Sequence, residues 1–144
     1  MHQICYMSRA AMVGEDVIRQ IVKVAQTRNR ADGITGLLLS DGARYLQAIE
    51  GPEIPLRACY ARIRRDPRHH DIVTVSDTAV SQRQFGRWSM LRRHQPSLAD
   101  PDDVGGDVGC DFRTDFRRDV MTDVAEVTDA ALKAMFIGFA ALSR

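Results

Sequence analysis

Apolar and polar positions alternate along residues 2–8. Ile4, Tyr6 and Ser8 therefore share one face of a predicted strand, and Cys5 and Met7 the other. Between residues 15 and 28 the period lengthens to that of a helix, with Val17, Ile18, Ile21, Val22 and Ala25 on one stripe. Asn29 and the pair Asp32-Gly33 are expected to stop it. Residues 34–40 and 44–50 read as a hairpin around the turn signal Asp41-Gly42. A second helix is predicted over 55–65, with Pro55 in its first turn and Asp66-Pro67 ending it, followed by strands over 72–80 and 87–93. The order β-α-β-β-α-β-β predicts an α+β sandwich in which two helices cover one face of a mixed, five-stranded sheet.

Both faces of that sheet are apolar. Tyr45 and Ile49 alternate with Leu46 and Ala48 on the third strand, as Ile4 and Tyr6 do with Cys5 and Met7 on the first. Two helices cover only one face, so the other needs a lid, and the tail can supply it. After a linker rich in Asp, Gly and Pro, Phe112, Phe116, Val120 and Val124 recur every fourth residue. Thr128 is placed to cap a last helix carrying Leu132, Met135, Phe136, Phe139 and Leu142. The expected division is a domain over 1–93, a linker over 94–110 and a helical extension over 111–144 that serves as lid or oligomerisation surface.

Composition narrows the function. A chain of 144 residues with 44% hydrophobic and 27% charged residues is globular, and a net charge of +1 gives no electrostatic reason to bind nucleic acid. Cys5, Cys59 and Cys110 are odd in number and form no C-x-x-C pair, so neither a disulfide framework nor a zinc site follows. His69 and His70 are adjacent, a poor spacing for one metal ion, and no metal is expected. No basic segment leads into an apolar stretch at the start, and no apolar run reaches the roughly 18 residues of a membrane span. A cytoplasmic protein without a membrane partner is expected.

Several polar residues sit where burial is predicted. Gln47 shares a strand face with Tyr45 and Ile49, and a buried carboxamide has two donors and two acceptor lone pairs to satisfy. Tyr6 lies mid-strand on an apolar face, as a core tyrosine would. Asn29 suits a helix-closing left-handed residue. Gly105-Gly106 and Gly109 form no G-x-G-x-x-G, so a nucleotide cofactor would not be held by a Rossmann fingerprint.

Four short pieces nevertheless fall into one order. They are Tyr6-Met7-Ser8, Asn29 ahead of Ile34-Thr35-Gly36-Leu37-Leu38, Gln47 ahead of Glu50-Gly51, and Trp88-Ser89-Met90. Over roughly residues 1–93 the chain resembles the BLUF family of blue-light sensors that use flavin. The resemblance implies a ferredoxin-like fold holding one non-covalent FAD. It implies that light drives electron and proton transfer from Tyr6 to the flavin through Gln47, and that the altered hydrogen bonding of Gln47 shifts the absorption slightly to the red. It further implies that Asn29 anchors the flavin and that Ile21 and Ile63 clamp its ring. Asp66, Arg68 and His69, with Arg62 a further candidate, line its polar edge or ribityl chain. Ser8 joins the switch, and Trp88 and Met90 relay the signal.

Ser40, where many members carry an aromatic, the second tyrosine Tyr45, and Cys5 beside Tyr6 depart from the family pattern. Tyr45 or Cys5 would be a competing electron donor. No output enzyme is recognisable, so a downstream signalling protein or a homo-oligomer is the expected partner. Two other readings stay open. One is an acylphosphatase-like hydrolase using Arg9 and Asn29 on a phosphate. The other is a non-flavin ligand-binding or dimerisation module.

Overall fold

The computed structural model describes residues 1–11, 15–86, 91–94 and 112–143. Its elements are β1 (His2–Ala10), α1 (Glu15–Asp32), β2 (Thr35–Ser40), β3 (Arg44–Gly51), α2 (Glu53–Arg65), β4 (His69–Ala79), β5 (Leu91–His94), α3 (Phe112–Asp123) and α4 (Ala130–Leu142). The sheet order is β4-β1-β3-β2-β5. The first four strands pair antiparallel in the ferredoxin-like arrangement, and β5 joins β2 in parallel, which makes the sheet mixed.

The alternation read from the sequence sorts side chains onto two faces. Ile4, Tyr6 and Ile49 pack with Ile34, Leu56, Cys59 and Tyr60 beneath α1 and α2. Cys5, Leu37, Leu39, Leu46 and Ala48 pack on the opposite face with Phe116, Val120, Phe136 and Phe139 of the tail. The C-terminal helices are thus the lid that the second apolar face requires.

Three local details differ from expectation. First, α1 runs on to Asp32, and Asn29 is not the residue that leaves the helix. Gly33 takes the left-handed conformation (φ 69°), with its N–H on Arg30 O at 3.4 Å and the Ile34 N–H on Asn29 O at 2.8 Å. These two bonds are a Schellman closure, which only glycine adopts without steric cost. Second, α4 is capped by Asp129, whose side chain accepts from Leu132 N at 2.9 Å, while Thr128 is taken by Gln84. Leu142, expected in the core, is exposed. Third, β4 begins at His69. It is an edge strand with a register irregularity and a left-handed Asp71 (φ 53°), so its first residues show no alternation.

Glu50 ties the sheet to the segment leading towards β5. It is fully buried and accepts from Gln3 Nε2 (3.1 Å), Thr35 Oγ1 (3.2 Å), Gln84 N (2.9 Å) and Phe85 N (2.6 Å). Four donors replace the water that a buried carboxylate loses.

Candidate functional site

Tyr6 and Gln47 are directly opposite one another across β1 and β3, and Leu38 is opposite Gln47 across β2. The three therefore form one row on the face covered by α1 and α2. The Tyr6 hydroxyl donates to Gln47 Oε1. Both side chains are almost wholly buried, at 3% and 6% exposure. Burial, with Cys59 and Tyr60 nearby, pushes the Tyr6 phenol well above its ordinary range, so it holds its proton at any physiological pH.

A cavity of about 370 Å³ opens between α1, α2 and this row. That volume falls within the roughly 300–1,000 Å³ typical of small-molecule and cofactor sites. Tyr6 and Gln47 form its floor, and Ile21 and Ile63 reach it from the two helices. Asn29 joins the wall from the last turn of α1 at 2% exposure, its Oδ1 accepting from the Cys59 thiol at 3.8 Å. Because Asn29 is also the residue whose carbonyl receives Ile34 N–H, the Schellman closure fixes its distance from the start of β2. The spacing in the Asn-to-Ile-Thr-Gly motif is therefore a structural one.

Arg62, Asp66, Arg68 and His69, with Gln20 and Arg28, add to the polar part of the lining. Arg68 grips Asp66 with two charge-assisted bonds, Nε to Oδ1 at 2.7 Å and an Nη to Oδ2 at 2.6 Å. These bonds hold the Asp66 carboxyl below the usual carboxylate range. His69 places Nε2 2.6 Å from the carbonyl of Ile63 and Nδ1 2.9 Å from Ser8 Oγ. A carbonyl only accepts, so Nε2 carries the proton, and in the neutral ring Nδ1 accepts from Ser8. Ser8 is not in the cavity wall; it fixes the ring that is. Trp88 and Met90 lie outside the described residues.

Cys5 points to the lid face, among Leu37, Leu39 and Leu46, and burial pushes its thiol up to about 12. Adjacent in sequence to Tyr6, it is on the wrong side of the sheet to compete as a donor. Tyr45 does line the cavity, with its ring edge-on to His69 at 6.4 Å. Arg9 and Asn29 do not meet. Arg9 pairs across β1 and β3 with Arg44, whose guanidinium lies over the Phe139 ring of the lid, while Asn29 is on the other face. The hydrolase reading fails on that geometry.

Arg28 and Cys59 are wall residues that sequence reasoning passed over. A signal for both was present. Cys59 precedes Ile63 by four residues and Arg28 follows Ile21 by seven, so each lies on the same helical face as a residue already selected.

Comparison with known proteins identifies the fold and the class together. The family model for BLUF, described as sensors of blue-light using FAD, matches residues 1–91. The chain belongs to this family. It is 37% identical over 82 residues to the blue light- and temperature-regulated antirepressor BluF of Escherichia coli K12, covering 54% of this chain and 20% of that protein. It is 28% identical over 101 residues to the photoactivated adenylate cyclase subunit beta of Euglena gracilis, covering 68% of this chain and 12% of that one. The chain thus spans a minor part of these relatives. Among solved structures, the dark state of the BLUF protein BlrB superposes with a TM-score of 0.69 at 24% identity, over 97% of this chain and 95% of that one. Klebsiella pneumoniae BlrP1, in a manganese and cyclic-diGMP complex, gives 0.74 at 23% identity over 98% and 34%.

The residues present fit a flavin. Two buried carboxamides and a phenol converge on one apolar cleft, and this donor and acceptor set matches a flat ring with alternating carbonyl and N–H groups along one edge. Among the described residues no helix is long and apolar enough to cross a membrane.

Proposed function

We propose that Tyr6 and Gln47 are the photochemical switch of this blue-light sensor, and that Asn29 anchors its FAD in the cavity between α1 and α2. The observation that carries this reading is the buried hydrogen bond from Tyr6 to Gln47 Oε1 on the cavity floor. When bound, FAD supplies the blue absorption and an excited-state electron acceptor. The chain's own part is to hold and move a proton. Tyr6 keeps its proton in the dark because burial disfavours the phenolate. Once the phenol is oxidised it becomes a strong acid, and Gln47 Oε1 is the acceptor already in place. A carboxamide that gains a proton on oxygen can lose one from nitrogen, or rotate, and so exchange donor for acceptor at nearly constant shape.

Ile21 and Ile63 supply the flat apolar walls on either side of the ring, and Asp66, Arg68 and His69 the polar rim. Ser8 is a positioning residue that fixes the His69 ring through Nδ1. Trp88 and Met90 are assigned to signal relay on the sequence alone.

Output leaves through the lid. On β3, Gln47 lies three residues from Glu50, which holds the backbone N–H groups of Gln84 and Phe85. The Gln84 side chain in turn accepts from Thr128 N at 2.7 Å, beside the cap of α4, and Phe85 packs edge-on to Phe136 at 5.7 Å. A movement of β3 is therefore transmitted to the tail, which we read as the lid and the contact surface of residues 111–144. The E. coli relative is named an antirepressor and the Euglena relative a cyclase subunit. By analogy this chain acts on a partner protein or a second copy, as a sensor rather than an enzyme, in the cytoplasm.

Asn29→Ala tests the anchor. Losing a neutral hydrogen bond costs roughly 0.5–1.5 kcal/mol, and more where the partner is left buried and unpaired. FAD affinity should fall several-fold in an equilibrium titration while the fold is retained. Unchanged affinity would remove Asn29 from the site.

A further inference from the structure

We infer that Cys59 is a positioning residue for the flavin anchor: its thiol holds Oδ1 of the Asn29 carboxamide against α2, so that the Nδ2 amide is the end offered to a ring carbonyl. The inference rests on the reading of Asn29 as the anchor and extends it to the residue that orients it.

The backbone leaves that orientation open. The Schellman closure fixes the main chain of Asn29 through its carbonyl, 2.8 Å from Ile34 N, but not the rotation of its carboxamide. The two ends of that group have nearly the same shape and opposite hydrogen-bonding character. A fixed neighbour therefore decides which end meets a ligand. Cys59 is that neighbour: its Sγ donates to Oδ1 at 3.8 Å, and both residues are buried and line the cavity. Turning the carboxamide over would set its N–H groups against the S–H in a buried site, where an unmet donor is costly.

The thiol is placed to remain a donor. Burial raises it above the ordinary thiol range, by more than the Arg62 guanidinium beside it lowers it. That guanidinium donates to the sulfur, so Cys59 accepts from Arg62 while it donates to Asn29. Packing alone does not call for a thiol here. Leu56, Cys59 and Ile63 follow the stripe of α2 that packs with Ile4, Tyr6 and Ile49, and a purely apolar side chain would fill such a position. Cys5 gives the contrast. It lies among Leu37, Leu39 and Leu46 on the lid face, away from the cavity, and serves as core.

The experiment is a double-mutant cycle on FAD affinity, read by titrating flavin-free protein and following the quenching of flavin fluorescence. Cys59→Ala should weaken FAD about three- to tenfold, as the loss of a neutral hydrogen bond allows. Cys59→Ser keeps a donor and should restore most of the affinity. In the Asn29→Ala background, Cys59→Ala should cost nothing further, because the group it orients is gone. The infrared carbonyl stretch of bound FAD should rise in Cys59→Ala and return in Cys59→Ser, since a well-aimed amide donor weakens the C=O bond. An equal loss from Cys59→Ala in both backgrounds would overturn the inference, for the side chain would then act by packing. So would a Cys59→Ser variant as weak as Cys59→Ala with an unmoved carbonyl stretch. Either result leaves Asn29 standing as the anchor. Unchanged FAD affinity in Asn29→Ala itself would overturn the anchor reading, and this one with it.

Discussion

Tyr6→Phe should retain bound flavin and lose the reversible red-shifted state. Phenylalanine fills the same space against Tyr60, whose ring centroid lies 5.5 Å away, so the core is conserved. What disappears is the phenolic proton and its bond to Gln47 Oε1. Leaving that buried oxygen without its donor costs roughly 1–3 kcal/mol of stability, which a domain of this size tolerates. The optical effect is all-or-none: light-minus-dark difference spectra should be flat in Tyr6→Phe and in Gln47→Leu, and should show the red shift in the unaltered protein. Among the described residues, Tyr45 is the competing aromatic donor in the same cavity. A normal photocycle in Tyr6→Phe that vanishes in the double variant with Tyr45→Phe would reassign the donor to Tyr45.

The second large effect concerns stability, and two glycines separate its causes. A Cβ added at Gly36 would lie 2.3 Å from the carbonyl oxygen of Ala48 and 3.3 Å from Ile49 Cα. Both atoms are backbone of the central strand β3, which is held on each side by β1 and β2. No side chain can rotate to relieve the clash, so Gly36→Ala must push two strands apart. The expected loss is about 3 kcal/mol or more, at the overpacking end of core substitutions. Gly138 is the opposite case. It is helical, and a Cβ there would meet nothing within 4 Å. Gly138→Ala should stabilise by up to about 1 kcal/mol, through helix propensity and a less flexible unfolded chain. Urea unfolding of the two variants should move the midpoint in opposite directions. Equal midpoints for Gly36→Ala and the unaltered chain would contradict the strand register.

These glycines also show how far the sequence could be read. Alternation separated Tyr6 from Cys5 on β1 and put Gln47 with Tyr45 and Ile49 on β3, but that Tyr6 and Gln47 share a face is set by the β1–β3 register, which pairs them. The helical stripe likewise placed Ile21 and Ile63. Asn29 was recognisable as important but its local role was not. The choice between a left-handed cap and an in-helix wall residue depends on which residue takes the positive φ, and Gly33 does. Glu50 was visible only as part of a motif. Its four donors come from β1, β2 and the segment before β5, contacts that no local pattern encodes. The early start of β4 escaped because an exposed edge strand has no buried face to impose a period. Arg28 was one arginine among many until the cavity gave it a place.

The most direct test of the account is the flavin content of the purified protein before and after denaturation. A preparation that is yellow, shows a flavin spectrum, and releases FAD into solution on unfolding is the predicted result, with no chromophore left on the chain. A colourless protein that also fails to take up added FAD would contradict the assignment of the α1–α2 cavity as its site.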